Sequence, residues 1–385
     1  MKSLHNNELD SSVIDWPVHM QRAVDLAANV MTATPNPRVG CVIIRDREVI
    51  AEGWHQAAGQ AHAEVMALQA AQDCSGGTAF VTLEPCNHQG KTGPCTEALI
   101  DAGIQCVVIA MVDPNPKVAG KGVARLEAAG IEVFHLLDFE AATQELNRGF
   151  VQRWQTGRPR VRMKLAMSLD GRTALANGES KWITAASARE DVQRLRAISS
   201  AIVTGIGTIE ADDPQLNVRA EELGLSETQL ISNQACLDRQ PMRVVLDSDL
   251  RVAANARVFD GPGEAVVYTS KPCSAADKDR LNHVEIRQQN EGQSVDLLSM
   301  LESLAADYEC TDVLVEAGPT LCGAFLQAGL VDELVVYIAP RIFGADARPL
   351  LQVQGIDSLA STYDFAISSV DKVGSDIKVV LSSIS

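Results

Sequence analysis

The sequence predicts an α/β protein of two consecutive layered domains, 1–157 and 158–385. Three observations carry this. Apolar runs of strand length alternate with segments of helical periodicity along most of the chain. A length of 385 residues exceeds one ordinary domain of roughly 100–200 residues. The alternation also stops at Thr156-Gly157-Arg158-Pro159, a Gly/Pro stop signal, and then restarts.

In the first half, Met20, Val24, Ala27 and Met31 recur at helical spacing, which predicts a helix over 17–31 with Pro17 in its first turn. The runs 39–46 and 49–55 read as two strands joined at Asp46-Arg47 in a hairpin. A helix near 62–72, a strand over 78–83 and a loop rich in Gly, Pro and Cys follow. Next come a helix over 95–102, a strand over 106–112, a helix near 121–129, a strand over 131–136 and a helix through 139–155. The second half reads as strands over 161–169, 201–207, 243–248, 265–270, 312–318, 333–340 and 377–383. Helices over 187–198, 295–306 and 320–328 lie between them. The polar stretch 220–240 is expected to be a loop.

Hydrophobic residues make up 46% of the chain and charged residues 22%, enough apolar material for a core in each domain. The formal net charge of −17 argues against nucleic-acid binding through a broad phosphate-contacting surface, because that affinity comes from Lys and Arg. No stretch approaches the ~18 apolar residues of a membrane span. The N-terminal MKSLHNNELDSS is polar, unlike a signal peptide. A cytoplasmic protein with no membrane partner is expected. Its nine cysteines are then small core residues or metal ligands rather than a disulfide framework.

Three pieces carry chemistry in the first half: His62-Ala63-Glu64, Pro85-Cys86 and Cys95. A catalytic zinc takes three protein ligands and keeps a fourth position for a water that it acidifies. A deaminase also needs a carboxylate outside the ligand set, to move a proton from that water to the departing ammonia. Residues two apart on a helix do not share a face, so His62 and Glu64 read as ligand and shuttle rather than as co-ligands. Cys95 opens a predicted helix, whose positive end favours thiolate. The zinc-deaminase signature is H-x-E followed by P-C-x-x-C; here eight residues separate Cys86 from Cys95. His88, two residues past Cys86, is a competing ligand candidate. Cys41, Cys74 and Cys106 read as core.

The segments TPNPRVGCVI (34–43), HQAAGQAHAEVMAL (55–68) and TLEPCNHQGKTGPC (82–95) resemble the deaminase half of bifunctional riboflavin-biosynthesis proteins. The match departs at Asn87, where serine is usual, and at Gly93, where proline is usual. The resemblance implies a cytidine-deaminase-like three-layer α/β/α domain. It implies His62, Cys86 and Cys95 as zinc ligands, Glu64 as the catalytic proton shuttle, and Asn36, His55 and His88 near the substrate.

No G-x-G-x-x-G fingerprint opens the second half. Gly205-Ile206-Gly207 is a fragment equally explained as a turn. In VLVEAGPTLCGAFL (313–326), a strand leads through Gly318-Pro319-Thr320 into a helix, a place where phosphate settles on unpaired N–H groups. Segments 164–174, 178–184, 204–219, 243–248 and 315–340 are similar to the reductase half of the same family, which implies a dihydrofolate-reductase-like α/β domain. That resemblance implies NADPH contacts at Ala166, Trp182, Thr208, Asp212, Ser248 and the turn Gly318, Pro319, Thr320, Leu321, Cys322, Gly323, Ala324. It implies substrate contacts at Ser180, Arg196, Leu216, Arg219 and Glu316. The two arginines can hold a ribose 5-phosphate through paired donors, and Glu316 can accept from sugar hydroxyls. Lys164 and Asp170 are further candidates without an assigned role.

Together the halves imply zinc-dependent hydrolytic deamination of 2,5-diamino-6-(ribosylamino)pyrimidin-4-one 5′-phosphate, then NADPH-dependent reduction of the ribosyl group to a ribityl chain, in a homo-oligomer, with a dimer as the common case. Two other readings share the zinc motif. One is a deaminase acting on a base in RNA; the other is a non-catalytic nucleotide-binding protein whose loop 84–95 a zinc merely staples. Ammonia release from the pyrimidine nucleotide separates them.

Overall fold

The computed structural model describes residues 1–6, 15–88, 93–289, 292 and 294–384. Most of the polar N-terminal stretch and positions 89–92 of the cysteine loop lie outside the described residues. The chain forms two units: Met1–Gly157 together with Thr228–Cys236, and Arg158–Glu227 together with Leu237–Ser385.

The first unit contains β1 (Lys2–Leu4), α1 (Trp16–Ala27), β2 (Gly40–Arg45), β3 (Glu48–Trp54), α2 (Ala63–Ala70), β4 (Thr78–Val81), α3 (Cys95–Asp101), β5 (Cys106–Ile109), α4 (Lys121–Ala128), β6 (Glu132–Leu136), α5 (Glu140–Leu146) and α6 (Arg148–Thr156). Its sheet runs β1-β6-β5-β4-β2-β3. The first four strands are parallel, and β2 is antiparallel to both its neighbours. Side chains alternate across each strand. Thus Val42 and Ile44 pack with Met20 and Leu26 of α1 on one face, while Cys41 and Ile43 pack with Ala63, Leu99 and Leu126 on the other. Three layers result, and α2, α3 and α4 share a side. Asp46 and Arg47 take φ of 52° and 70°, the left-handed pair that a two-residue hairpin turn demands.

The helix expected through 139–155 is broken at Asn147, which has φ −122°. Its side chain instead clamps Arg38, accepting that residue's N–H at 2.7 Å and donating to its carbonyl at 3.0 Å.

The second unit contains β7 (Arg160–Ser168), β8 (Arg172–Ala174), α7 (Ala186–Ile198), β9 (Ala201–Gly205), α8 (Ile206–Asp212), β10 (Met242–Leu246), β11 (Ala265–Thr269), α11 (Ala275–Arg280), β12 (Glu285–Gln288), α12 (Leu297–Asp307), β13 (Asp312–Val315), α13 (Pro319–Gln327), β14 (Glu333–Ala339), β15 (Arg348–Pro349), β16 (Phe365–Val373) and β17 (Asp376–Ser383). Nine strands form one sheet in the order β12-β11-β10-β9-β13-β7-β14-β17-β16, with β8 paired to β15 apart from it. All neighbours in the large sheet are parallel except at β17 and β16. Val161, Met163 and Val203 face α12 and α13, whereas Ile202, Val245 and Tyr337 face α7.

The stretch 220–240, expected as a loop, contains α9 (Glu227–Ser232) and α10 (Gln234–Asp238). Asn233 there accepts the Met31 N–H at 2.6 Å. No helix among the described residues is long and apolar enough to cross a membrane.

Candidate active sites

In the first unit, α2 starts on the sheet because Gly53 of β3 has no side chain; a Cβ there would come within 2.4 Å of the Ala67 nitrogen. His62 is the residue that caps α2, and Glu64 sits in its first turn with 4% exposure. Cys95 opens α3, and Cys86 sits in the loop between β4 and α3. The ligand atoms of His62, Cys86 and Cys95 lie within 4.8 Å of one another. His62 Nδ1 is 3.2 Å from Cys95 Sγ and 3.6 Å from Cys86 Sγ. A tetrahedral zinc with ordinary bond lengths spaces such an N···S pair about 3.6 Å apart, so the donor set fits the ion in size and softness. His88 is exposed and lies outside this group.

Electrostatics bind the group further. The Cys95 thiol shares its hydrogen with Cys86, which brings Cys86 down to about 4, with His62 adding to the effect; the same sharing drives Cys95 upward. Burial pushes the Glu64 carboxyl up to about 7, and the Cys86 thiolate adds to that. His55, buried at 2% exposure, is held below its usual value by burial. Its Nδ1 faces the Ala61 carbonyl at 3.0 Å, so that nitrogen carries the hydrogen. Nε2 is then an acceptor for the Asn36 amide, also at 3.0 Å.

In the second unit the parallel strands bring their C-terminal ends to one edge. The chain leaves β9 towards β10 and leaves β13 towards β14, in opposite directions, so the crevice between β9 and β13 is a topological switch point. Gly318 caps α13 at this edge, and a Cβ at Gly318 or Gly207 would meet only open space. Ala166 lies near the C-terminal end of β7, and Thr208 and Ser248 follow β9 and β10 at the same edge. Asp212, at the end of α8, pairs with Lys181 at 3.3 Å. Trp182 is 63% exposed with the Arg189 guanidinium 4.5 Å from its ring. Thr320 donates to Gln352 at 2.6 Å. Cys322 and Gly323 face the core, leaving backbone as their contact surface. The Leu216 side chain also packs in the core, with φ 51°. Ser180 is half-buried.

The two arginines differ. Arg196 gives Nε and Nη2 to Glu316, at 2.6 and 3.0 Å, and Nη1 to the Asn217 carbonyl. Arg219 pairs with Glu222 at 2.7 Å at a partly exposed position, and its Nε has no hydrogen-bond partner. Lys164 faces Glu316 and Arg196, and burial lowers its pKa. Asp170 accepts from the Ser168 hydroxyl and from the Phe343 and Gly344 N–H groups.

Residues 159–379 match the family model described as the RibD C-terminal domain, and residues 17–111 match the cytidine and deoxycytidylate deaminase zinc-binding region. The chain is 48% identical over 361 residues to the riboflavin biosynthesis protein RibD of Escherichia coli (strain K12), covering 93% of this chain and 97% of that protein. This chain belongs to the RibD family. It is 43% identical to Acinetobacter baumannii RibD in crystal form 1, with a TM-score of 0.86 over 96% of this chain and 99% of that one. A deaminase/reductase structure from Thermotoga maritima is 32% identical, with a TM-score of 0.80 over the same shares. Family membership makes the chain a bifunctional enzyme of riboflavin biosynthesis, with a zinc-binding deaminase domain and an NADPH-dependent reductase domain.

Sequence reasoning passed over several residues at these sites. Asn217 lies between two singled-out positions and leaves its Oδ1 unpartnered, as does buried Asp247 beside Ser248. Their only signal in the sequence is adjacency. Glu84, next to Pro85-Cys86, was hidden among ordinary acidic residues.

Proposed function

We propose that residues 1–157 deaminate 2,5-diamino-6-(ribosylamino)pyrimidin-4-one 5′-phosphate and that residues 158–385 then reduce the ribosyl group of the product. The observation that carries this reading is the convergence of His62, Cys86 and Cys95 beside a buried Glu64 that belongs to no ligand set. In this reading the three residues hold the zinc, which supplies a Lewis acid that acidifies a water. Glu64 accepts that water's proton and returns it to the leaving amino nitrogen, so ring C–N is exchanged for ring C=O and ammonia departs. Asn36, its amide fixed by the neutral His55, keeps its carbonyl oxygen for a donor on the pyrimidine. His88 lines the entrance.

In the second unit, NADPH supplies the hydride. The N-terminus of α13, with Gly318, Pro319, Thr320, Leu321 and the backbone of Cys322, Gly323 and Ala324, would hold its pyrophosphate on unpaired N–H groups. Ala166, Trp182, Thr208, Asp212 and Ser248 frame the rest of the cofactor. Because Glu316 already occupies the fork of Arg196, the more exposed Arg219 takes the substrate 5′-phosphate. Glu316 accepts from sugar hydroxyls while Arg196 holds it in place. Ser180 and the Leu216 backbone complete the substrate wall.

The enzyme acts on small molecules in the cytoplasm as a homodimer. The open edge of β16, with Ile367 67% and Val370 59% exposed, favours pairing with a second copy. One incubation of the full chain with substrate, with and without NADPH, tests the assignment by product mass. Deamination alone is expected without NADPH and both changes with it; reduction without prior deamination would reverse the order.

A further inference from the structure

Glu84 stands two residues before Cys86 and is 3% exposed. Its carboxylate accepts four backbone N–H groups. Oε1 takes Gly122 at 2.9 Å and Val123 at 3.1 Å, and Oε2 takes Gly120 at 3.0 Å and Asp113 at 3.3 Å. Gly122 and Val123 lie in the first turn of α4, where N–H groups have no partner within the helix. Asp113 and Gly120 bracket the loop between β5 and α4. One carboxylate thus ties together the cysteine loop, the loop after β5 and the start of α4.

The fastening continues towards the cysteine. A Cβ at Gly122 would lie 1.9 Å from the Pro85 carbonyl oxygen, so Pro85 rests directly on α4. Beyond it, the Cys86 carbonyl accepts the Thr96 N–H at 3.2 Å, Cys86 Sγ accepts the Cys95 N–H at 3.5 Å, and Asn87 accepts the Thr96 hydroxyl at 3.0 Å. Cys86 therefore has an anchor on each side, α3 behind it and Glu84 ahead of it. His62 and Cys95 sit at helix starts and need no such device; Cys86 sits in a loop.

We propose that Glu84 is a positioning residue for the metal site: it fixes the loop so that Cys86 Sγ stands in ligand position before an ion arrives. The inference rests on the reading of Cys86 as a zinc ligand. A carboxylate is required because all four partners are donors, and only an acceptor on both oxygens satisfies them. Groups that orient a ligand from outside the coordination sphere change metal affinity by about 10–100-fold when removed.

Glu84→Gln keeps the shape but turns an NH2 towards two of the four N–H groups. The full-length parent and variant are stripped of metal and titrated with Zn2+ against a chromophoric chelator, then with Co2+ while the thiolate-to-cobalt absorption is recorded. The expected result is zinc binding about 10–100-fold weaker in E84Q, with altered cobalt bands and unchanged far-UV circular dichroism. Glu84→Asp, which keeps the charge on a shorter arm, is expected to recover part of the affinity. A folded E84Q with the parent's zinc affinity and cobalt spectrum reduces Glu84 to a cap for α4 and overturns the proposal. Should E84Q not fold, E84D decides on the same readouts: weakened zinc supports the proposal and parental zinc overturns it. A parent that binds no zinc overturns the ligand reading instead.

Discussion

Arg196 and Glu316, 120 residues apart, form a two-point ion pair, Nε to Oε1 at 2.6 Å and Nη2 to Oε2 at 3.0 Å. Both are nearly buried, with side chains 14% and 9% exposed. Burial alone would raise the Glu316 pKa, but the charge and hydrogen bonds of Arg196, joined by Lys164, outweigh it and hold the carboxyl below its ordinary range. A depressed folded-state pKa contributes stability above the unfolded value of about 4.3, and that stability is lost as pH falls through the lower folded value. Arg196→Ala strands a buried carboxylate. It is expected to destabilise the second unit by about 3–5 kcal/mol, read as a lower urea midpoint with zinc content unchanged. A midpoint equal to the parent's would show that the pair contributes nothing.

Glu64→Gln separates proton transfer from metal binding. The amide keeps the volume of a side chain that is 4% exposed but no longer shuttles protons. Zinc content is expected to stay at the parent level while ammonia release falls about 10²–10⁴-fold, the usual contribution of a positioned acid–base group. Normal ammonia release from this variant would remove Glu64 from the reaction.

The convergence of His62, Cys86 and Cys95 was legible because H-A-E and P-C are short local strings of distinctive residue types, even though the eight residues between the cysteines depart from the usual signature. The hairpin at Asp46-Arg47 and the strand–helix alternation were legible for the same local reason. Glu84 was not, since its four partners are backbone N–H groups that no side-chain pattern marks. The Arg196–Glu316 pair was invisible because both charges, read alone, look free for a ligand. Only the fold, setting α7 against the end of β13, spends one on the other. The break at Asn147 follows from its clamp on Arg38, 109 residues away. Strand β16 was missed because it pairs only with β17 and keeps polar and apolar side chains exposed alike, which erases the alternation that marks a half-buried strand.

Cys86→Ser tests whether the two halves work independently. An alcohol is a poor ligand beside a thiolate, so zinc measured by elemental analysis is expected to fall well below one per chain and deamination to be lost. NADPH oxidation with the deaminated substrate is expected to persist, since no residue proposed for that pocket belongs to the metal group. Loss of both activities in a folded variant would mean that the zinc site supports the reductase as well.

Asp170 offers a final test, at the turn after β7. It takes the Ser168 hydroxyl at 2.5 Å, the Phe343 N–H at 3.1 Å and the Gly344 N–H at 2.8 Å. The Ser168 hydroxyl first, and then the Phe343 N–H, pull its pKa down to about 2. A group depressed in the folded state holds its contacts above the unfolded value of about 3.9 and loses them only as pH falls through the folded one. The latch between the β7 turn and residues 341–344 is therefore expected to stay closed across the working pH range. Asp170→Ala removes both acceptor oxygens and leaves the Phe343 and Gly344 N–H groups without this partner. Hydrogen exchange at the Phe343 and Gly344 amides should then quicken at neutral pH while the β7 core amides keep their protection. Unchanged exchange at those two amides would show that the loop is held by Arg341, whose side chain donates to the Trp182 carbonyl at 3.0 Å, and not by Asp170.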